Sequence, residues 1–138
     1  MRLPNRLLAL LTIVSLLAAA CGGSDDAESA GLRLVSVTAA EDIRTDPPAD
    51  LVILDVRTPE EFSEGHLEGA TMIDFYRDDF AEQLAGLDPD VPYLLYCRSG
   101  NRSGQTIEIM RELGFTDVAD VDGGINAWNA ANLPTVTP

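Results

Sequence analysis

Two unbroken apolar runs constrain this 138-residue chain more than anything else in it: Leu51, Val52, Ile53 and Leu54, then Tyr93, Leu94, Leu95 and Tyr96. A strand that faces solvent on one side alternates apolar with polar residues. A run of four without a break is what a strand covered on both faces requires. Each run is followed by a short polar stretch and then by apolar residues at helical spacing, so strands and helices alternate along the chain. That alternation specifies an α/β domain, with a parallel sheet and helices on both of its faces. The length leaves room for one such domain, and an apolar content of 46% supports a packed core.

Strands are predicted over 34–37, 51–54, 70–73, 93–96 and 118–121. Thr38 with Glu41 has capping-box spacing, predicting a short helix through Ile43 that Asp46, Pro47 and Pro48 terminate. Thr58, Pro59 and Glu61 form a second box, with proline at the first helical position and Gly65 at the end. Phe80, Leu84 and Leu87 form one helical stripe, and Ile107, Met110 and Leu113 another. Gly114 caps the second helix, with Phe115 packing back onto it. Gly123 and Gly124 turn into a last helix carrying Trp128, a core residue.

The amino-terminal segment reads as an address. Arg2 and Arg6 precede an apolar stretch over 7–17, and then come Ala18, Ala19, Ala20 and Cys21. Basic, apolar and small segments in that order are expected of a secretory signal over 1–20. The apolar stretch is short of the roughly 20 residues a membrane-spanning helix needs. The small residues before Cys21 resemble a bacterial lipobox, although Ala18 stands where leucine is usual and Leu17 lies one place further back. That resemblance implies cleavage before Cys21, lipidation of its thiol, and a cell-membrane location on the extracytoplasmic face. The alternatives are an anchor that stays attached, or a cut elsewhere in the alanine run. Residues 21–31, rich in Gly, Ser and Asp, read as a flexible tether ahead of a domain over 32–138.

The chemistry is expected at Cys97, which directly follows the strand over 93–96. Arg98, Ser99, Gly100, Asn101, Arg102 and Ser103 lead from it into a helix. A strand–loop–helix turn gathers backbone N–H groups and the positive helix end around one point. Gly100 lets the loop curl its amides inward as an anion nest, and two arginines add full charges. A free thiol ionises near 8.5, and such surroundings can lower this to about 3.5–7.5, yielding a nucleophilic thiolate.

LDVRTPEEF at 54–62, GHLEGA at 65–70, YCRSGNRS at 96–103, DGGINAW at 122–128 and the Leu133-Pro134 ending together resemble the rhodanese family in order and spacing. The resemblance covers nearly all of residues 32–138. It implies a rhodanese-like, five-stranded parallel sheet and sulfur transfer through a persulfide on Cys97. The donor would be a small anionic one such as thiosulfate, and the acceptor cyanide or a thiol. The loop residues 98–103 would bind the substrate, Asp55 and Arg57 would support them, and neither an organic cofactor nor a metal is implied. An ion pair is the plainer role for Asp55 and Arg57, as a backbone-bonded turn is for His66.

Other functions fit less well. With 9 basic and 23 acidic residues, a net charge of −14 and no lysine, the chain lacks the basic face that nucleic acid requires. It is also unsuited to electrostatic attachment to anionic lipid, so membrane contact is expected through the Cys21 lipid alone. Two cysteines cannot build a disulfide framework, and with a single histidine a metal site is not expected. The acidic residues Asp74, Asp78, Asp79 and Glu82 read as a solvated face. A cysteine phosphatase or arsenate reductase would place its arginine six residues after the cysteine; that position is Ser103, and Arg102 comes one residue early. A sulfur-carrying or protein-binding module with little turnover is the alternative of a different class. The chain is expected to act as a monomer.

Overall fold

The computed structural model describes residues 31–138; the predicted address over 1–20, Cys21 and all but the last residue of the predicted tether lie outside them. The described chain runs β1 (Leu32–Val35), α1 (Val37–Thr45), β2 (Val52–Asp55), α2 (Pro59–Glu64), β3 (Thr71–Met72), α3 (Phe80–Ala85), β4 (Tyr93–Tyr96), α4 (Asn101–Glu112), β5 (Val118–Val121) and α5 (Gly124–Ala130). The strands form one five-stranded sheet in the order β1-β5-β4-β2-β3, with every pairing parallel. This is the α/β architecture read from the apolar runs. No helix among the described residues is long and apolar enough to cross a membrane.

Side chains of the three central strands, β2, β4 and β5, alternate between two cores. Leu54, Leu95, Cys97 and Val118 point to one face, where Phe80 and Leu84 of α3, Met110 of α4 and Phe115 cover them. Leu94, Tyr96, Ala119 and Val121 point to the other, against Ala40 of α1 and Ile125 and Trp128 of α5. Trp128 is fully buried, and its indole N–H donates to the Pro134 carbonyl at 3.0 Å, tying down the chain end.

Several element boundaries differ from expectation, each for a local reason. The first strand ends at Val35 rather than 37, because Ser36 caps α1: its hydroxyl accepts from the Ala39 N–H at 3.2 Å. Thr38 is therefore not the cap, and Glu41 instead takes a bidentate bond from Arg44 at 2.7 and 2.8 Å. The third strand shrinks to two residues, since the Ala70 N–H is taken by a turn to the Leu67 carbonyl. Helix α3 stops at Ala85, and Leu87 packs on the core from just beyond it. In α4 the face toward the sheet is Ser103, Thr106 and Met110, and Leu113 is 37% exposed at the cap. The Thr58 box forms as expected: Glu61 N–H bonds the Thr58 hydroxyl at 3.3 Å, and Thr58 N–H bonds the Glu61 carboxylate at 3.1 Å. Helix α2 ends at Gly65.

Candidate active site

A parallel sheet brings the carboxyl ends of all its strands to one edge, and β4 sits in the middle of that edge. Cys97 is the first residue past β4, 1% exposed and the only cysteine among the described residues. The chain curls immediately after it. Gly100 takes a left-handed conformation (φ 96°), open to glycine without strain, and its N–H donates to Cys97 Sγ at 3.0 Å. Gly100 is also the N-cap of α4, so the sulfur sits beside the amino end of a 12-residue helix, where unpaired amides and the helix dipole favour negative charge.

The curl is held from behind by α5. Ile125 N–H donates to the Cys97 carbonyl at 2.9 Å, and Asn126 N–H donates to the Arg98 carbonyl at 3.0 Å. Every described peptide bond is trans, which sets N–H opposite C=O. With the carbonyls of Cys97 and Arg98 committed to α5, the amides of Arg98 and Ser99 turn away from it. This close approach requires Gly124: a Cβ there would lie 2.4 Å from the Cys97 carbonyl oxygen and 2.8 Å from both the carbonyl carbon and oxygen of Arg98. The sequence marks this residue only as half of a doubled glycine at a turn; its contact with the cysteine loop is a packing fact.

The remaining loop residues separate into distinct roles. Arg98 and Ser99 are exposed, and the Arg98 side chain enters no ion pair among the described residues. Asn101 turns outward, its side-chain oxygen accepting from Gln105 at 3.0 Å. Arg102 grips Glu61 with two bonds of 2.7 Å, and its guanidinium carbon lies 5.5 Å from the centre of the Tyr76 ring. The Arg102 bonds hold the Glu61 carboxyl down at about 2. Glu61 thus both caps α2 and ties it to α4, a link 41 residues apart that the capping box alone does not reveal.

Ser103 is fully buried and sits over the sheet near Asp120 of β5. Burial pushes the Asp120 carboxyl up to about 6; the Ser103 hydroxyl opposes that shift and Asp122 adds to it. No hydrogen bond of ordinary geometry joins the pair, and Ser103 Oγ and Asp120 Oδ1 are both buried without a partner.

Asp55 and Arg57 are a buried ion pair at 2.7 Å, with Arg57 also donating to the Gly65 carbonyl at 2.7 Å. Arg57 lies 5.5 Å from the centre of the Tyr96 ring. His66 bonds backbone, its Nδ1 3.0 Å from the Phe62 carbonyl and its main chain paired with Val136. Asp79 of the acidic stretch pairs with Arg77, and no group of His, Cys, Asp and Glu among the described residues is arranged to hold a metal.

A cysteine at the centre of a parallel sheet's carboxyl edge, held by a loop amide at the head of a helix, defines a class of α/β domain that sets one sulfur inside a curled loop. Within that class, the rhodanese-like domain family matches residues 36–131, and the chain belongs to it. It is 38% identical over 113 residues to thiosulfate sulfurtransferase 16, chloroplastic, of Arabidopsis thaliana, covering 73% of this chain and 90% of that one. It is 37% identical over 79 residues to the thiosulfate sulfurtransferase GlpE of Pseudomonas putida, covering 57% of this chain and 70% of that protein. The crystal structure of a rhodanese-related protein from Thermoplasma volcanium superposes with a TM-score of 0.67 at 27% identity, covering 77% of this chain and 99% of the other. Sulfur transfer is therefore the activity by which named members of the family are known.

Proposed function

We propose that the protein is a sulfurtransferase that carries a sulfane sulfur on Cys97. The Cys97 thiolate attacks the outer sulfur of a donor such as thiosulfate, the donor's S–S bond breaks, and sulfite leaves with the electron pair. An acceptor, cyanide or a thiolate, then attacks the outer sulfur of the persulfide and Cys97 departs as thiolate. No net oxidant is consumed. The observation that carries this reading is the Gly100 N–H aimed at Sγ at 3.0 Å, at the head of α4. A donor fixed there before reaction stabilises charge on sulfur without reorganisation. The commitment of Arg102 to Glu61 favours sulfur over phosphoryl chemistry, since a phosphatase loop needs its arginine free for the substrate. We further propose that the protein works outside the cytoplasm on the Cys21 lipid, as its leading segment implies.

Incubation of the full chain with thiosulfate should add the mass of one sulfur atom, and added cyanide should yield thiocyanate. Cys97→Ser should abolish both. Mass gain without turnover would instead mark a sulfur carrier, and neither effect would end the reading.

A further inference from the structure

Two buried polar groups beneath the cysteine loop take no part in the sulfur-transfer steps. Ser103 is the third residue of α4 and is fully buried; the turn it belongs to is closed by the Gly104 N–H, which donates to the Gly100 carbonyl at 3.0 Å. Asp120 of β5 is 3% exposed and is the register partner of Leu95, so its side chain shares the sheet face on which Leu95 and Cys97 lie. Ser103 Oγ and Asp120 Oδ1 both lack a partner, whereas buried polar groups are nearly always paired. Other groups nearby are committed elsewhere. The Thr106 hydroxyl, next along that face of α4, donates to the Arg102 carbonyl at 2.8 Å, and the Arg102 guanidinium is held by Glu61. Asp122 bears on Asp120 as a like charge. The Ser103 hydroxyl is near enough to oppose the rise of the Asp120 carboxyl, and a serine hydroxyl changes position by rotation about one bond.

We propose that Ser103 and Asp120 are positioning residues for sulfur loading: the Ser103 hydroxyl donates to the Asp120 carboxylate, ties the first turn of α4 to β5, and so holds the Gly100 N–H on Cys97 Sγ. Neither side chain bonds the sulfur; the pair acts through Gly100. Two other sides of the loop are already secured, since α5 holds the Cys97 and Arg98 carbonyls and Glu61 holds Arg102. The side toward the sheet is left to the buried residues of α4. Of these, Ser103, Thr106 and Met110, Ser103 is nearest the helix head, so its hold on β5 governs how closely Gly100 approaches the sulfur. A preorganised donor stabilises charge only while that approach is kept. The effect on loading rests on the sulfur-transfer reading above; the placement of the Gly100 N–H does not.

The test uses the full chain at pH 8, above the value of about 6 to which burial raises the Asp120 carboxyl, so that Asp120 is a carboxylate. Sulfur loading at saturating thiosulfate should slow about five- to tenfold in Ser103→Ala and in Asp120→Leu, the size one buried hydrogen bond supports, with the KM for thiosulfate unchanged. Asp120→Asn keeps an accepting oxygen and should recover most of that loss. The double variant Ser103→Ala/Asp120→Leu should load no more slowly than either single one, because the two residues share one bond. Losses that multiply, or an Asp120→Asn protein as slow as Asp120→Leu, would overturn the pair while sparing sulfur transfer. The Gly100 amide proton, followed by NMR with no donor added, reads the placement independently. It should move upfield in Asp120→Leu, as its bond to Sγ lengthens, and keep its place in Asp120→Asn. That movement supports the pair even if thiosulfate never loads the protein, and a Gly100 resonance unmoved in Asp120→Leu overturns it even if loading slows. Ser103→Ala, which removes a single oxygen, carries the same readouts if Asp120→Leu does not fold.

Discussion

Gly124 shows how one absent atom shapes the reactive loop. Its φ of +58° and its contact with backbone rather than flexible side chain leave no inexpensive way to fit a methyl group. Gly124→Ala should therefore push α5 off the Cys97 carbonyl. Stability is expected to fall by about 2–4 kcal/mol in chemical denaturation, from left-handed strain plus overpacking. Sulfur loading should fall even in the fraction that stays folded. An alanine variant with ordinary loading would show that the loop does not need this support. Cys97 and the Gly100 curl were legible in the sequence because they are contiguous; the engagement of Arg102 by Glu61, which takes its charge away from the loop, was not, because that partner stands 41 residues away. Gly124 and Asp120 were not, because their importance comes from what stands opposite them in space: the Cys97 carbonyl for one, the buried Ser103 hydroxyl for the other.

Among elements, the join between α2 and α4 carries the most consequence for the site. Glu61 holds its own helix through Thr58 and holds Arg102 across the domain, with the Arg102 and Glu61 side chains only 11% and 21% exposed. Losing a cap alone costs about 1 kcal/mol. Glu61→Gln is expected to cost more than Thr58→Ala by a further 1 kcal/mol or so, as it also strands a half-buried guanidinium. Equal losses in urea titrations of the two variants would mean that the cross-link contributes nothing. The elements themselves were largely readable. Unbroken runs of apolar residues marked β2 and β4, and the Thr58 box and Gly65 bounded α2. Less legible were elements with competing caps or weak stripes. Ser36 and Thr38 are both good capping residues, and only the pairing of β1 with β5 up to Val35 decides between them. In α4 the inward face includes Ser103 and Thr106, polar residues that an apolar stripe passes over.

At the scale of the whole molecule, two carboxyls set opposite pH responses. Glu61, lowered from 4.5 to about 2, contributes stability above pH 4.5 that is lost as pH falls toward 2. Asp120, raised from 3.8 to about 6, keeps in the folded state a proton the unfolded chain gives up, so stability falls as pH rises from about 4 to 6. Asp120 is only 3% exposed, and the loss amounts to roughly 3 kcal/mol. Growing net negative charge acts in the same direction, so the comparison must be with Asp120→Asn, which keeps the shape and removes the titration. Melting temperatures from pH 4.5 to 7 should decline less steeply in that variant; parallel curves would rule out Asp120 as the source. The direction of the strands has its own outcome. All five run the same way, so Leu32, where β1 begins, lies at the margin of the sheet opposite Cys97. The chain thus enters the domain at one margin of the sheet and carries Cys97 at the other, so whatever precedes Leu32 joins on the side away from the approach to the sulfur.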